Sequence, residues 1–263
     1  MSNIIYHKKV VSGNVTEIYS YENGVKVGEQ MPAGHNVKKD TEEITKEERQ
    51  ARDRQNLQRS LSRTIRNLRR SINANIGAWG DYFPKFMTLT FKQNVKDHKT
   101  ANDEFMKFVK RLNYRVTGQK RAILKYTAVV ERQRRGAIHF HVIFYNLPYT
   151  PFNELLEVWQ NNSEQRGLRI NAIEEIDNVG SYVTKYISKE IRALKDGKGG
   201  EREKDKKIYF QSRGLVKPIE KETDEKEIKM LLENLSEKDK VFQSEFENDY
   251  VGKIKYTQIR EVK

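Results

Sequence analysis

The amino-acid sequence predicts an α+β fold for this chain of 263 residues. Short runs alternate apolar and polar residues, as strands do, and longer runs repeat apolar residues every three or four positions, as helices do. The hydrophobic content of 36% allows one substantial core of roughly 130 to 150 residues with further elements attached. We therefore expect one main domain with an extension at each end.

The chain is strongly basic, with 50 lysines and arginines against 37 aspartates and glutamates. The resulting net charge of +13 favours a polyanionic partner, and nucleic acid is favoured over a membrane because no segment resembles a membrane span or a lipid anchor. The first residues interrupt their apolar runs with charge too early for a signal peptide. Because the chain also has no cysteine, we expect a cytoplasmic protein without disulfides or thiolate metal sites.

Residues 1–40 are predicted to form a small β-meander. Three strand-like runs are separated by Ser12-Gly13-Asn14 and by Asn23-Gly24, and the second dipeptide is a strong signal for a two-residue hairpin turn. A sheet of this size is marginal by itself. We therefore expect it to pack on another part of the chain.

Residues 41–78 are predicted to form a long basic amphipathic helix. Thr45 and Glu48 match a capping box, and leucines and isoleucines recur every three or four residues from 57 to 76. The arginines that crowd its other faces are Arg59, Arg63, Arg66, Arg69 and Arg70. These side chains either follow a DNA backbone or form an ordinary solvated face.

The main domain is predicted over residues 79–217, and its first half contains a strand, a helix and a hairpin. FMTLTF, residues 86–91, has the pattern of a central strand, and an amphipathic helix follows from Thr100. Strand-like runs at 124–131 and 137–144 are separated by a polar turn that contains glycine. We expect these two runs to pair as an antiparallel hairpin.

The second half of the domain is predicted to contain a helix, a strand and a last helix. Thr150-Pro151 is a good helix start, the run after Gly167 has the pattern of a strand, and Asp177 is placed to cap the helix that follows. The order β-α-β-β-α-β with an additional helix resembles a ferredoxin-like arrangement.

The second hairpin strand, AIHFHVIF, carries two histidines. His139 and His141 are two positions apart and therefore point to the same side of a strand. With the turn centred near Arg135, Glu131 lies opposite His139, and the three side chains form an open site for Mg²⁺ or Mn²⁺. Two alternatives stay open: a half-buried strand whose histidines bind nothing, or a register shifted by one residue that turns Glu131 away.

The last predicted helix carries two tyrosines one turn apart. Tyr182 and Tyr186 lie on one side, with Lys185 and Lys189 beside them. The tyrosines either extend the buried stripe or project from a helix that is anchored on its other side. The two lysines favour projection, because a buried edge does not usually carry them.

Together these segments resemble the HUH endonuclease superfamily and, within it, the rolling-circle replication initiator (Rep) proteins of small phages and plasmids. FMTLTF is similar to the first motif of that family, HFHVIF to its histidine-hydrophobic-histidine motif and YVTKYISK to the two-tyrosine form of its third. The resemblance covers roughly residues 83–191. The tyrosines follow the histidines, as in replication initiators and transposases and unlike in conjugative relaxases.

The resemblance implies a DNA nicking and joining endonuclease. Tyr182 or Tyr186 would attack the scissile phosphate with help from Lys185 and Lys189, leaving a 5′-phosphotyrosine adduct and a free 3′-OH. The implied ligands of Mg²⁺ or Mn²⁺ are His139, His141 and Glu131. Because an imidazole must be neutral to bind a metal, we expect activity to fall below about pH 6.

Single-stranded or hairpin origin DNA is the expected partner. The basic residues of the hairpin turn that would contact it are Arg132, Arg134 and Arg135. A host polymerase is implied by the free 3′-OH, and a host helicase is implied because the chain has no Walker motif. Two other functions remain open: a non-catalytic nucleic-acid-binding module whose sheet aromatics stack on bases, and an HUH transposase.

Residues 218–263 are predicted to be a charged helical extension. The helix is expected over Glu220–Glu247, and KIKYTQI near the end is expected to be a strand that pairs with the N-terminal meander. Before it, Lys195–Lys207 is a glycine-containing loop of mixed charge that either closes over single-stranded DNA or connects two elements.

Overall fold

The computed structural model describes residues 3–27, 45–81, 83–91, 93–133, 135–161, 166–173, 178–185, 208–248 and 251–261. Within these residues the chain forms five helices and ten strands in two five-stranded sheets, which confirms the α+β prediction. The chain divides into a terminal unit, Met1–Arg63 with Pro218–Lys263, and a central unit, Thr64–Lys217. None of the described helices is long and apolar enough to cross a membrane.

The elements follow one another along the chain with these bounds: β1 (Asn3–Ser12), β2 (Val15–Val27), α1 (Lys46–Asn75), β3 (Lys85–Phe91), α2 (His98–Thr117), β4 (Tyr126–Arg132), β5 (Ile138–Phe144), α3 (Phe152–Gln160), β6 (Arg166–Ala172), α4 (179–185), β7 (Tyr209–Gln211), β8 (Ile219–Glu222), α5 (Glu225–Glu233), β9 (Lys240–Asn248) and β10 (Gly252–Arg260). The boundary between the units lies inside α1.

The sheet of the central unit has the order β6-β3-β5-β4-β7, and all its neighbouring strands are antiparallel. The run β3-α2-β4-β5-α3-β6 therefore has the strand order of a ferredoxin-like sheet, to which β7 adds a short fifth strand. As predicted from its sequence, β3 is an interior strand. Strand β3 is flanked by β6 and β5. This interior position is consistent with its nearly unbroken run of apolar and β-branched residues.

One face of this sheet holds the hydrophobic core. Alternation along β3 and β5 turns Met87, Leu89, Phe140 and Val142 to the side that α2 and α3 cover. The ring of Phe105 on α2 stacks on Phe140 with centroids 4.6 Å apart. The same alternation sends both histidines to the opposite side, which is called the histidine face below.

In the terminal unit, the first predicted turn is confirmed and the second is wrong. Ser12 pairs with Val15 across Gly13-Asn14, but β2 continues through Asn23-Gly24 instead of turning there. The register of β1 and β2 shifts between Ile5 and His7, and Gly24 has a φ of +67°. The positive φ of Gly24, which is typical of a hairpin turn, is thus found at an irregular pairing within the long β1-β2 hairpin.

The C-terminal segment contains much less helix than predicted. The whole of Glu220–Glu247 was expected to form one helix. Only Glu225–Glu233 of this segment is helical, and β9 begins at Lys240. The predicted pairing of the last strand with the N-terminal strands is confirmed, because β10 pairs with β2 and places Tyr256 beside Tyr19. The periodicity of a short charged segment is a weak signal, and pairing with β10 decides the conformation of β9.

Candidate active site

The histidine face brings both histidines next to two threonines of β3. Thr88 is paired with His141 and Thr90 with His139. Both imidazoles are buried, with 7% of His139 and 4% of His141 exposed. The Thr88 hydroxyl lies 3.2 Å from His141 Nδ1, so the interior strand β3 fixes the orientation of one ring.

The hairpin register places Glu131 opposite His139, as predicted. The carboxylate reaches diagonally across the strand, and its Oε2 accepts a hydrogen bond from His141 Nε2 at 2.7 Å. The register therefore keeps Glu131 on the histidine face. The three candidate ligands form one cluster at the β4-β5 hairpin.

The ring of His139 has a different hydrogen-bond partner from that of His141. The side-chain amide nitrogen of Gln133 lies 3.2 Å from His139 Nδ1, while His139 Nε2 is buried and has no hydrogen-bond partner among the described residues. Burial lowers the pKa of His139 below the ordinary histidine value; Glu131 opposes this change, and His141 and Arg135 reinforce it. Ligation of a metal through Nε2 requires a neutral ring with its proton on Nδ1, and the Gln133 amide accepts that proton when its oxygen faces Nδ1.

The donor types of this cluster fit a divalent cation. Two imidazoles and a carboxylate suit Mn²⁺ or Mg²⁺, and the buried Nε2 of His139 is a polar atom that a cation would satisfy. Among the described residues, however, no three His, Asp or Glu side chains already converge on a metal position. A bound cation would have to replace the hydrogen bond between Glu131 and His141.

Tyr182 lies on the same face, one aromatic ring away from a histidine. Its ring meets Phe86 edge-on, with centroids 5.5 Å apart and planes at 75°. Phe86 in turn stacks on His141 at 5.8 Å and 6°, and Lys185 Nζ is 5.2 Å from the centre of the Tyr182 ring. Tyr186 and Lys189 lie outside the described residues.

Helix α4, which carries Tyr182, is held against the last turns of α1 by Asn73. The Asn73 side chain accepts from Gly180 N at 2.8 Å and donates to Asn178 Oδ1 at 3.1 Å. Asn178 Oδ1 also accepts from Ser181 N at 2.8 Å and so provides a cap at the start of the helix. The predicted cap, Asp177, lies outside the described residues. Only 3% of Asn73 is exposed, so the hydrogen bonds by which it connects α1 to α4 are buried.

The predicted DNA-contact arginines differ in accessibility. Those with exposed side chains are Arg59, Arg63, Arg66, Arg132 and Arg135. Arg69 is half-buried, and Arg70 is buried, which removes Arg70 from the basic surface. Arg134 lies outside the described residues.

The excess positive charge belongs entirely to the central unit. Its sequence, Thr64–Lys217, contains 30 lysines and arginines against 16 aspartates and glutamates, whereas the terminal unit contains 20 against 21. The basic character that favours a nucleic-acid partner therefore coincides with the unit that carries the histidine face.

Sequence reasoning missed the residues that connect these elements. Gly180 inside a helical pattern was the one available signal, since such a glycine often marks a close approach. A Cβ at Gly180 would lie 2.4 Å from the backbone oxygen of Arg69. Asn73 and Phe86 gave no such signal, because their roles depend on elements far away in the sequence. Gln133 is only six residues from His139, but a polar residue in a hairpin turn is not distinctive.

Comparison with known families adds a match for this region. Residues 84–191, from just before β3 to beyond α4, match a family model that is described as a replication-associated protein. This segment is similar to replication-associated proteins. The match supports a replication-initiator family and covers less than half of the chain, all of it in the central unit. No curated protein and no solved structure shows a significant match to the chain.

Proposed function

We propose that this chain is a rolling-circle replication initiator of the HUH type that nicks and rejoins single-stranded or hairpin origin DNA through a tyrosine. One observation carries the proposal. In the segment similar to replication-associated proteins, the Tyr182 ring lies one phenylalanine ring away from His141 on the histidine face. A candidate nucleophile on α4 and the candidate metal ligands on the sheet therefore lie at the same face of the sheet.

In the proposed reaction, Tyr182 Oη attacks the scissile phosphorus and forms a phosphotyrosine bond to the 5′ side of the break. The bond from phosphorus to the 3′ oxygen breaks, and that oxygen takes a proton to become the free 3′-OH. A phenol is mostly protonated at neutral pH. The ammonium of Lys185, 5.2 Å from the centre of the Tyr182 ring, places a positive charge near the attacking residue.

The chain's own residues fit a divalent cation next to the attacked phosphate. His139, His141 and Glu131 would hold Mg²⁺ or Mn²⁺, which supplies positive charge to the phosphate in the transition state. Thr88 and Gln133 orient the two rings through their Nδ1 atoms. With the Gln133 amide turned so that its oxygen accepts from Nδ1–H, His139 keeps a lone pair on Nε2.

Rejoining follows from the same chemistry. The phosphotyrosine bond conserves the energy of the phosphodiester, so attack by a 3′-OH restores the strand without ATP. Two tyrosines suit replication, because Tyr186 could cut the regenerated origin while Tyr182 still holds the first strand. A host polymerase would extend the 3′-OH, and a host helicase would unwind the duplex.

The non-catalytic binding module is less well supported. That function requires aromatic side chains of the two central strands to be accessible for stacking on bases. In the structure Phe86, Phe91, Phe140 and Phe144 are all buried, three of them in the core. The sheet therefore lacks the exposed aromatic platform at the strands where the sequence indicated it.

The test is covalent capture. Purified protein is incubated with labelled single-stranded origin DNA from the gene's own replicon and Mn²⁺, and a denaturing gel is examined for a protein-DNA adduct. We expect Tyr182→Phe with Tyr186→Phe to abolish the adduct, and His139→Ala with His141→Ala to do the same.

Each single tyrosine variant then identifies the first nucleophile. Tyr114→Phe is the matched control, because Tyr114 is 57% exposed on α2, the helix on the other face of the sheet. Tight binding of origin DNA without an adduct at any Mn²⁺ concentration would reject the nuclease.

A further inference from the structure

The edge strand β6 presents no apolar side chain to the histidine face. Its register with β3 sets Gly167 beside Thr90, Arg169 beside Thr88 and Asn171 beside Phe86. Arg169 and Asn171 are exposed, whereas the alternate residues Leu168 and Ile170 pack against the core. The outer side of the histidine face is therefore polar and open, and it includes one cation.

Arg169 lies in the same cross-strand row as His141. Thr88 is the only residue between them in this row, since it pairs with Arg169 on one side and with His141 on the other. Neighbouring strands are about 4.8 Å apart, so the Cα atoms of Arg169 and His141 are separated by about 10 Å. A guanidinium at this distance is placed to contact a different phosphate from the one beside the histidines.

The neighbouring row of cross-strand pairs has no side chain at its β6 position. Here Gly167, Thr90 and His139 follow one another across the sheet, and Gly167 has no side chain to rise from the surface. A Cβ at Gly167 would lie 2.7 Å from Thr90 Oγ1, whose hydroxyl donates to the Gly167 carbonyl at 3.2 Å. A strand of nucleic acid crossing from the histidines toward Arg169 meets no side-chain obstacle at Gly167.

We propose that Arg169 binds a backbone phosphate adjacent to the scissile one and so sets the line along which single-stranded DNA crosses the histidine face. A guanidinium is suited to this role because it donates two parallel hydrogen bonds to phosphate oxygens. The net positive charge of the central unit supports nucleic acid as the ligand. The assignment of the neighbouring phosphate as scissile rests on the proposed function.

The experiment measures binding separately from cutting. Origin DNA is titrated with the Tyr182→Phe, Tyr186→Phe protein, which leaves the strand intact, over a series of salt concentrations. Adding Arg169→Gln is expected to weaken binding roughly tenfold and to lower the slope of log K against log salt by about 0.7, the value for one phosphate contact on a single strand. Arg169→Lys should keep the slope and bind more weakly than arginine.

Lys110→Gln is the control for loss of one positive charge, because Lys110 is exposed on α2, which covers the opposite face. Thermal melting verifies that each variant is folded. Equal affinities and equal salt slopes for Arg169→Gln and Lys110→Gln would overturn the Arg169 site. Failure of the unmutated chain to form an adduct would instead reject the nuclease, while the binding slopes would still decide whether Arg169 contacts a phosphate.

Discussion

Replacing Gly180 with alanine tests whether α1 positions the nucleophile helix. The added Cβ would lie 2.4 Å from the Arg69 backbone oxygen and 2.7 Å from Asn73 Oδ1. A backbone oxygen inside a helix cannot swing aside, and ordinary contact begins near 3.4 Å. Helix α4 must therefore move by about 1 Å, and this shift also lengthens the hydrogen bond from Gly180 N to Asn73 Oδ1.

The stability change combines opposing effects. Overpacking costs about 1–3 kcal/mol and the weakened buried hydrogen bond about 1 kcal/mol, while alanine gains about 1 kcal/mol over glycine in helix propensity. We expect a net loss of about 1–3 kcal/mol in the free energy of unfolding. The catalytic effect should be larger, because a misplacement of about 1 Å at a reacting group can cost about 100-fold in rate.

The assay is single-turnover adduct formation at saturating origin DNA with Mn²⁺, together with the Kd for DNA and a urea denaturation curve. Gly180→Ala should lower the rate constant about 100-fold and change Kd less than about threefold. Asn73→Ala should act in the same direction, because it leaves Gly180 N without its partner. Asn67→Ala, on the exposed side of the same helix, is the matched control. A Gly180→Ala protein that is more stable than the original chain and cuts at the original rate would refute the positioning role.

Three further predictions concern charge. Glu131→Gln should lower the affinity for Mn²⁺ about 10- to 100-fold in a calorimetric titration, and an unchanged affinity would remove Glu131 from the ligand set. Because burial lowers the pKa of His139 below the ordinary value of 6.5, its neutral form should still predominate at pH 6.5, and Mn²⁺ binding and cutting should be lost only as the pH falls further; Mn²⁺ affinity that is independent of pH down to the pH at which the fold is lost would contradict ligation. Hydrogen bonds from Lys9, Thr223 and Lys221 lower the pKa of Glu227 to about 2, so its stabilisation is complete above 4.5 and disappears as the pH falls toward 2; the melting temperature of Glu227→Gln should depend less on pH across that range than that of the original chain.

The central sheet could be predicted because its signals are local. Two runs rich in β-branched and aromatic residues, β4 and β5, are separated by a short glycine-containing turn, and centring that turn near Arg135 places Glu131 opposite His139. The order of helices and strands then follows from periodicity. Within the candidate site, the histidines and the carboxylate were therefore accessible to sequence reasoning.

The remaining features depend on contacts between distant segments. Asn73 and Gly180 are 107 residues apart, and no periodicity connects them. The conformation of β9 is decided by its pairing with β10, which outweighs the helical pattern of a short charged segment. Asn23-Gly24 failed as a turn signal because its positive φ is equally useful inside an irregular strand pair.

The Phe86 ring between His141 and Tyr182 has a consequence for experiments under varied conditions. A hydrocarbon spacer has no charge for salt to screen and no proton to lose. The separation between the proposed nucleophile and the nearest imidazole should therefore stay constant over every ionic strength and pH at which the fold survives. Changes in cutting rate under those conditions would then report on ionisation and DNA binding, with the spacing of the reacting groups held fixed by the fold itself.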